Sequence, residues 1–297
     1  MSFNDGANIG SGRAGRAGRR GRTGVAVGGG GALLVIGLFV LSQFLGVDLT
    51  GLAGGGGDSG SGTSQQLDQC QTGADANASL DCLVKGTAAA LDAYWVDEYP
   101  ALKAGAYHSP AQGVQLFTQS TSTGCGTASS AVGPFYCSAD QNIYLDTDFF
   151  AELRDRFGAS GGQLSEMYVI AHEWGHHIQN LAGVISRASD GDTGPTSNSV
   201  RLELQADCYA GAWVGSASTV QDSGGTPFLK PVTDAQIRDA LSAASAVGDD
   251  RIQAASGQVR PETWTHGSSA QRQKWFLAGL RGSATSCDTF GVGAGAL

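Results

Sequence analysis

The stretch AHEWGHHIQN, Ala171–Asn180, holds three of the chain's five histidines around a single glutamate. It sits inside GGQLSEMYVIAHEWGHHIQNLAGV, which reads as a long helix over roughly residues 164–181. On a helix, His172 and His176 are four residues apart and lie about 40° apart on one face, so both imidazoles can point at one ion. His177, five residues from His172, is turned away from that face. Glu173 directly follows the first histidine, where its carboxylate can stand beside a metal-bound water. Gly175 stands where a larger side chain would impede close packing. The competing reading is a helix whose histidines merely cap or pack.

His172 and His176 with Glu173 between them form H-E-x-x-H, an arrangement that holds zinc on two histidines with the glutamate as general base. A catalytic zinc needs a third protein ligand and an open position for water. RLELQAD supplies Glu203 and Asp207, also four apart on one helical face. Two acids flanked by Leu202, Leu204 and Ala206 are costly to bury without a cationic or metal partner. The economical assignment makes Glu203 the third ligand and places Asp207 where it accepts a hydrogen bond from a ligand histidine's free N–H. A solvated helix face is the alternative for this pair. His266, in TWTHGSS, is the best candidate for steadying a developing oxyanion, against a histidine hydrogen-bonded in a loop. Arg272 is a second candidate, though an arginine on a terminal helix more often pairs with a surface acid. His108 sits in a turn and reads as structural.

Around these motifs the pattern is mostly helical. LDCLVKGTAAALDAYWVDEYP (80–100) reads as a helix burying Leu83, Leu91, Tyr94 and Trp95 and stopped by Pro100. FYC and NIYLD are strand-like runs joined by SAD, with NIYLD either a sheet edge for an extended peptide or an interior strand. A helix follows, with Thr147 or Asp148 as cap and Gly158 at its end. Further helices are expected over 200–214, after Thr233, and after Ser268, whose spacing to Gln271 is that of a capping box. The fold class is therefore α+β, a helical body with a small sheet.

Charge divides the 297-residue chain. Residues 1–23 hold five arginines against one acid, whereas residues 58–297 carry a net −12. Between the two lies GVAVGGGGALLVIGLFVLSQFLGV (24–47), 24 residues without a charge, long enough at about 1.5 Å per residue to cross a hydrocarbon core of roughly 30 Å. The expectation is a single-pass transmembrane anchor, against a cleaved signal peptide. The arginines then predict a basic cytoplasmic tail (1–23) and an extracytoplasmic body, and membrane flanking explains them without nucleic-acid binding. A Gly/Ser-rich linker (48–66) leads to one catalytic domain (67–297). All six cysteines fall in that domain and read as three disulfides in an oxidising compartment. Fifteen pairings are open; proximity suggests Cys70–Cys82 and Cys125–Cys137, leaving Cys208–Cys287. Buried free thiols are the other reading.

GPFYCSADQNIYLD, AHEWGHHIQN, ELQADCYAGAW and THGSSAQRQKWF together resemble the bacterial putative neutral zinc metallopeptidase family, which is membrane-anchored. The resemblance spans residues 81–287 and leaves the Gly/Arg-rich start outside it. It implies a zincin-like fold and peptidase activity but no substrate. ELQAD is also similar to the ligand-bearing helix of gluzincin peptidases, which supports Glu203 as ligand and Asp207 as its partner residue. The expected function is Zn2+-dependent hydrolysis of a protein or peptide substrate. A zinc amidase acting on cell-wall peptide and a non-catalytic zinc-stabilised surface module are the alternatives, and the intact Glu173 argues against the last.

Overall fold

Five of the described helices begin where the sequence places a hydroxyl to accept the first free N–H groups. Thr72 caps α1 (Gly73–Ala78) in a reciprocal pair with Asp75, and Ser79 accepts from Cys82 at the start of α2 (Leu80–Leu102). Asp148 precedes α3 (Phe149–Asp155) without a side-chain cap bond. The helix carrying the histidines is α4 (Gln163–Leu181). Ser197 caps α5 (Asn198–Ser216), Thr233 caps α6 (Asp234–Ala246), and α7 (Asp249–Ala255) follows. The expected capping box of Ser268 and Gln271 opens α8 (Ser269–Arg281). Helix α2 runs two residues past Pro100 instead of stopping there. In a final turn a proline removes only its own N–H bond, and Lys103 N–H still reaches Tyr99 O. The computed structural model describes residues 2–17, 65–103, 105–188, 190–255 and 257–297.

Seven strands make two sheets among these residues: β1 (Ala14–Arg16), β2 (Gln65–Gln66), β3 (Val114–Phe117), β4 (Ser120–Thr123), β5 (Gly126–Ser129), β6 (Phe135–Cys137) and β7 (Asn142–Asp146). The main sheet has the order β2-β1-β3-β7-β6. β1, β3 and β7 are parallel, with Gly15 opposite Gln115 and Leu116 opposite Leu145. β2 and β6 are antiparallel edges. NIYLD is thus interior, every residue of it buried, as both-face burial of a parallel strand requires. FYC is the edge. β4 and β5 form a separate hairpin.

Helix α5 lies against α8 and α4, α4 also meets α6, and α2 joins α4 to the sheet. Trp95, Trp174 and Trp213 are fully enclosed at the centre. The two disulfides suggested by proximity and the remaining pair are all formed, with Cα–Cα distances of 5.0 Å for Cys70–Cys82, 5.8 Å for Cys125–Cys137 and 5.6 Å for Cys208–Cys287.

The N-terminal expectation is overturned. Residues 2–17 are part of the folded body: Phe3, Ala7 and Ile9 are completely buried, and β1 is an interior strand. Asn4 N–H donates to Phe228 O at 2.9 Å, Lys230 N–H to Ser2 O at 2.9 Å, and the Arg16 guanidinium forks onto Asp81 with two bonds of 2.8 Å. Arg16 pairs with Gln65, so the flanks of residues 18–64 lie side by side on one body. A cytoplasmic tail on one side of a membrane and a catalytic body on the other are incompatible with that pairing. The expected anchor (24–47) and all but the end of the linker (48–66) lie outside the described residues, and no helix among the described residues is long and apolar enough to cross a membrane. Among the described residues the fold is a mostly helical domain with a small sheet and holds no transmembrane helix, so the expected single-pass anchoring, and the localisation and membrane partner read from it, find no support in the fold. AGR at 14–16 gives no β-branched signal; tertiary pairing with β2 and β3 makes it a strand.

Candidate metal centre

Helices α4 and α5 come together at Gly175, where an added Cβ would sit 3.0 Å from Ala206 Cα. That close approach brings the two sequence pairs onto one spot. Donor atoms of His172, His176 and Glu203 all lie within 4.8 Å of one another. His172 Nε2 is 3.1 Å from Glu203 Oε2, and His176 Nε2 is 3.4 Å from Glu203 Oε1. Two nitrogens and one carboxylate oxygen are the donor set of a catalytic zinc or similar borderline ion.

The outer nitrogens are held by different groups. His172 Nδ1 donates to Asp207 Oδ1 at 2.8 Å, whereas His176 Nδ1 donates to Gln179 Oε1 at 2.8 Å. Asp207 is completely buried. The Arg272 guanidinium grips both its oxygens, Nε to Oδ2 at 2.7 Å and Nη2 to Oδ1 at 2.9 Å, and the Tyr168 hydroxyl donates to it as well. Burial would raise the Asp207 carboxyl, but Arg272 and then His172 outweigh it and hold it below the ordinary range. Arg272 is therefore neither a surface ion pair nor free for an oxyanion.

Burial disfavours a charged His172, yet Asp207 and Glu203 push it up to about 10. Burial would also raise Glu203, but His176, His266 and His172 hold it well below the carboxylate range. Glu173, 8% exposed, is raised by burial against the opposing pull of His176 and His172. His172, Glu173, His176 and Glu203 line one cleft with His266 and Arg272; Val132, Phe135, Phe149, Phe157 and Ile252 form its apolar walls. His266 is set in place by Asp249, whose Oδ2 accepts the backbone N–H groups of Thr265, His266 and Gly267 at 2.9, 2.7 and 3.0 Å. Its ring Nδ1 lies 3.5 Å from Asp249 Oδ1. Burial lowers His266, and Glu203 and Asp249 together turn the balance upward.

His177 stays out of the cluster, as its angle on the helix requires. Its Nε2 donates to His108 O at 2.7 Å and its Nδ1 meets the Tyr136 hydroxyl at 3.1 Å, tying α4 to β6 and the His108 turn. Burial lowers His177 to about 4. Sequence reasoning missed Tyr168, Gln179 and Asp249. Tyr168 lies four residues before His172 and Gln179 three after His176, both on the ligand face of α4, so helical spacing carried a signal for them. Nothing in the spacing pointed to Asp249.

The sequence matches the family described as "Putative neutral zinc metallopeptidase" over residues 2–290. The chain belongs to this family. It is a zinc metallopeptidase. The match takes in the N-terminal segment that the motifs alone left outside the resemblance, in keeping with its place in the fold. This metallopeptidase is 54% identical over 227 residues to the uncharacterized protein Rv2575 of Mycobacterium tuberculosis, covering 75% of each chain. It is 36% identical over 274 residues to the uncharacterized protein YpfJ of Escherichia coli K12, covering 89% of this chain and 88% of that one. No solved structure matches it.

Proposed function

We propose that this metallopeptidase hydrolyses peptide bonds of protein or peptide substrates in the cleft above His172, His176 and Glu203, with zinc as the ion these residues hold. The observation that supports it most is the convergence of the three donor atoms within 4.8 Å in a cleft that also presents the buried carboxyl of Glu173. Zinc held there supplies Lewis acidity toward a water and a substrate carbonyl. Glu173 takes the water's proton and delivers it to the leaving amine. Its upward shift by burial suits a group that must both accept and release a proton. Asp207 keeps the His172 proton on Nδ1, so that Nε2 would be the nitrogen to hold the ion. His266, fixed by Asp249, donates toward the carbonyl oxygen as charge develops on it. The apolar walls receive substrate side chains.

The test is direct. Zinc-loaded protein is incubated with a peptide library and the products are identified by mass spectrometry, with and without a chelator. Cleavage of internal peptide bonds that disappears on chelation and returns with zinc is expected. Zinc-loaded protein that leaves both the library and a mixture of unfolded proteins uncut would defeat the proposal.

A further inference from the structure

His176 is oriented through a chain of amides that runs to the far side of α5. Gln179 Nε2 donates to Leu202 O at 2.7 Å and to Gln205 Oε1 at 3.1 Å. Gln205 Nε2 donates in turn to Cys287 O at 2.8 Å. Both glutamines are buried, Gln179 completely, so water does not stand in for these partners.

The two backbone carbonyls decide every orientation in the chain, because a carbonyl oxygen only accepts. Cys287 O requires the Gln205 amide nitrogen to face it, which turns Gln205 Oε1 toward Gln179. Leu202 O likewise requires the Gln179 nitrogen. Gln179 Oε1 is then left facing His176 Nδ1, and an acceptor there requires a proton on Nδ1. His176 Nε2 is then the nitrogen left to face a metal, and it lies beside Glu203.

We propose that Gln179 and Gln205 are positioning residues that hold His176 in the Nδ1–H tautomer with Nε2 aimed at the metal cluster, ordering this ligand from the carbonyl of disulfide-bonded Cys287. The proposal rests on the reading of His176 as a metal ligand. An amide suits this position better than a second carboxylate. Glu173, Glu203 and Asp207 already crowd negative charge around the two histidines, with Arg272 the cation that grips Asp207, and a further anion would repel them. The arrangement also gives the Cys208–Cys287 bond a physical route to the metal.

Two measurements on the full chain test it. In wild-type protein the ring 15N shifts of His176 should show a proton on Nδ1, the nitrogen that faces Gln179 Oε1. A bare Nδ1 overturns the proposal, whatever happens to any variant. Zinc affinity, read by competition with a chelator, should fall by about 10–100-fold in Gln179→Met and by a smaller factor in Gln205→Met. A merely structural role would lower the melting temperature of the metal-free protein and leave the zinc affinity of the folded fraction within about twofold of wild type, which also overturns the proposal. Absence of zinc binding by the wild type would instead defeat the metal reading, and the tautomer would still be decided by the 15N shifts.

Discussion

His172 faces a carboxylate on each side, Asp207 at Nδ1 and Glu203 at Nε2. Those two partners overcome its burial and hold the ring protonated up to a pH of about 10 in the metal-free protein. A metal ligand must be a neutral imidazole on the coordinating nitrogen, so uptake of zinc near pH 7 has to expel that proton. Because the proton and the metal compete, zinc affinity should fall as pH falls. Titration calorimetry in buffers of different ionisation enthalpy should find about one proton released per zinc at pH 7; proton-neutral binding would contradict the assignment. Helix spacing paired His172 with His176 and Glu203 with Asp207 in the sequence, since residues four apart share a face. Arg272 was misread because its partner Asp207 lies 65 residues away, a distance across which periodicity says nothing.

At the scale of elements, the ligand helix α5 depends on α8. The two helices touch through glycines: a Cβ on Gly279 would lie 1.9 Å from Cys208 O, and one on Gly211 would lie 2.0 Å from Phe276 O. Neither backbone oxygen can yield without moving a helix, and Arg272 on α8 would move with it. Gly279→Ala should therefore destabilise the fold by about 1–3 kcal/mol, measured by urea unfolding, and an unchanged midpoint would refute the close contact. Cys208–Cys287 joins α5 to the chain just beyond α8 across a sequence separation of 79. Replacing both cysteines with serine removes up to about 4 kcal/mol in the chain-entropy account. It should lower the melting temperature and speed zinc loss to a chelator, because Cys287 O anchors the Gln205 end of the chain to His176. Wild-type zinc retention in a destabilised double variant would separate the disulfide from the site. Helix α5 was readable as a helical run and α8 from the cap at Ser268, and the nearby cysteine pairs from proximity. The glycine contacts were not, because a small residue shows what it admits only when the neighbouring helix is in place.

For the whole molecule, the segment with the least fold-like composition turns out to complete the core. Five arginines beside an uncharged run resemble a membrane flank in sequence, yet Phe3 and Ile9 are fully buried and β1 fills the sheet between β2 and β3. Only the folded body supplies the partners, so a local reading had nothing to find. Phe3→Ala should cost about 3–5 kcal/mol of stability, measured by chemical denaturation, whereas a dangling tail would tolerate it. The function proposed for this scaffold is a division of labour in which His172, His176 and Glu203 would hold the ion and Glu173 would handle the proton. Zinc stoichiometry and kcat, measured together on wild type, Glu173→Gln and Glu203→Ala, test that division most directly. Glu173→Gln should keep about one zinc per chain and lose about 10²–10⁴-fold in kcat, and Glu203→Ala should lose the zinc itself. Wild-type turnover in Glu173→Gln, or full zinc retention in Glu203→Ala, would contradict it.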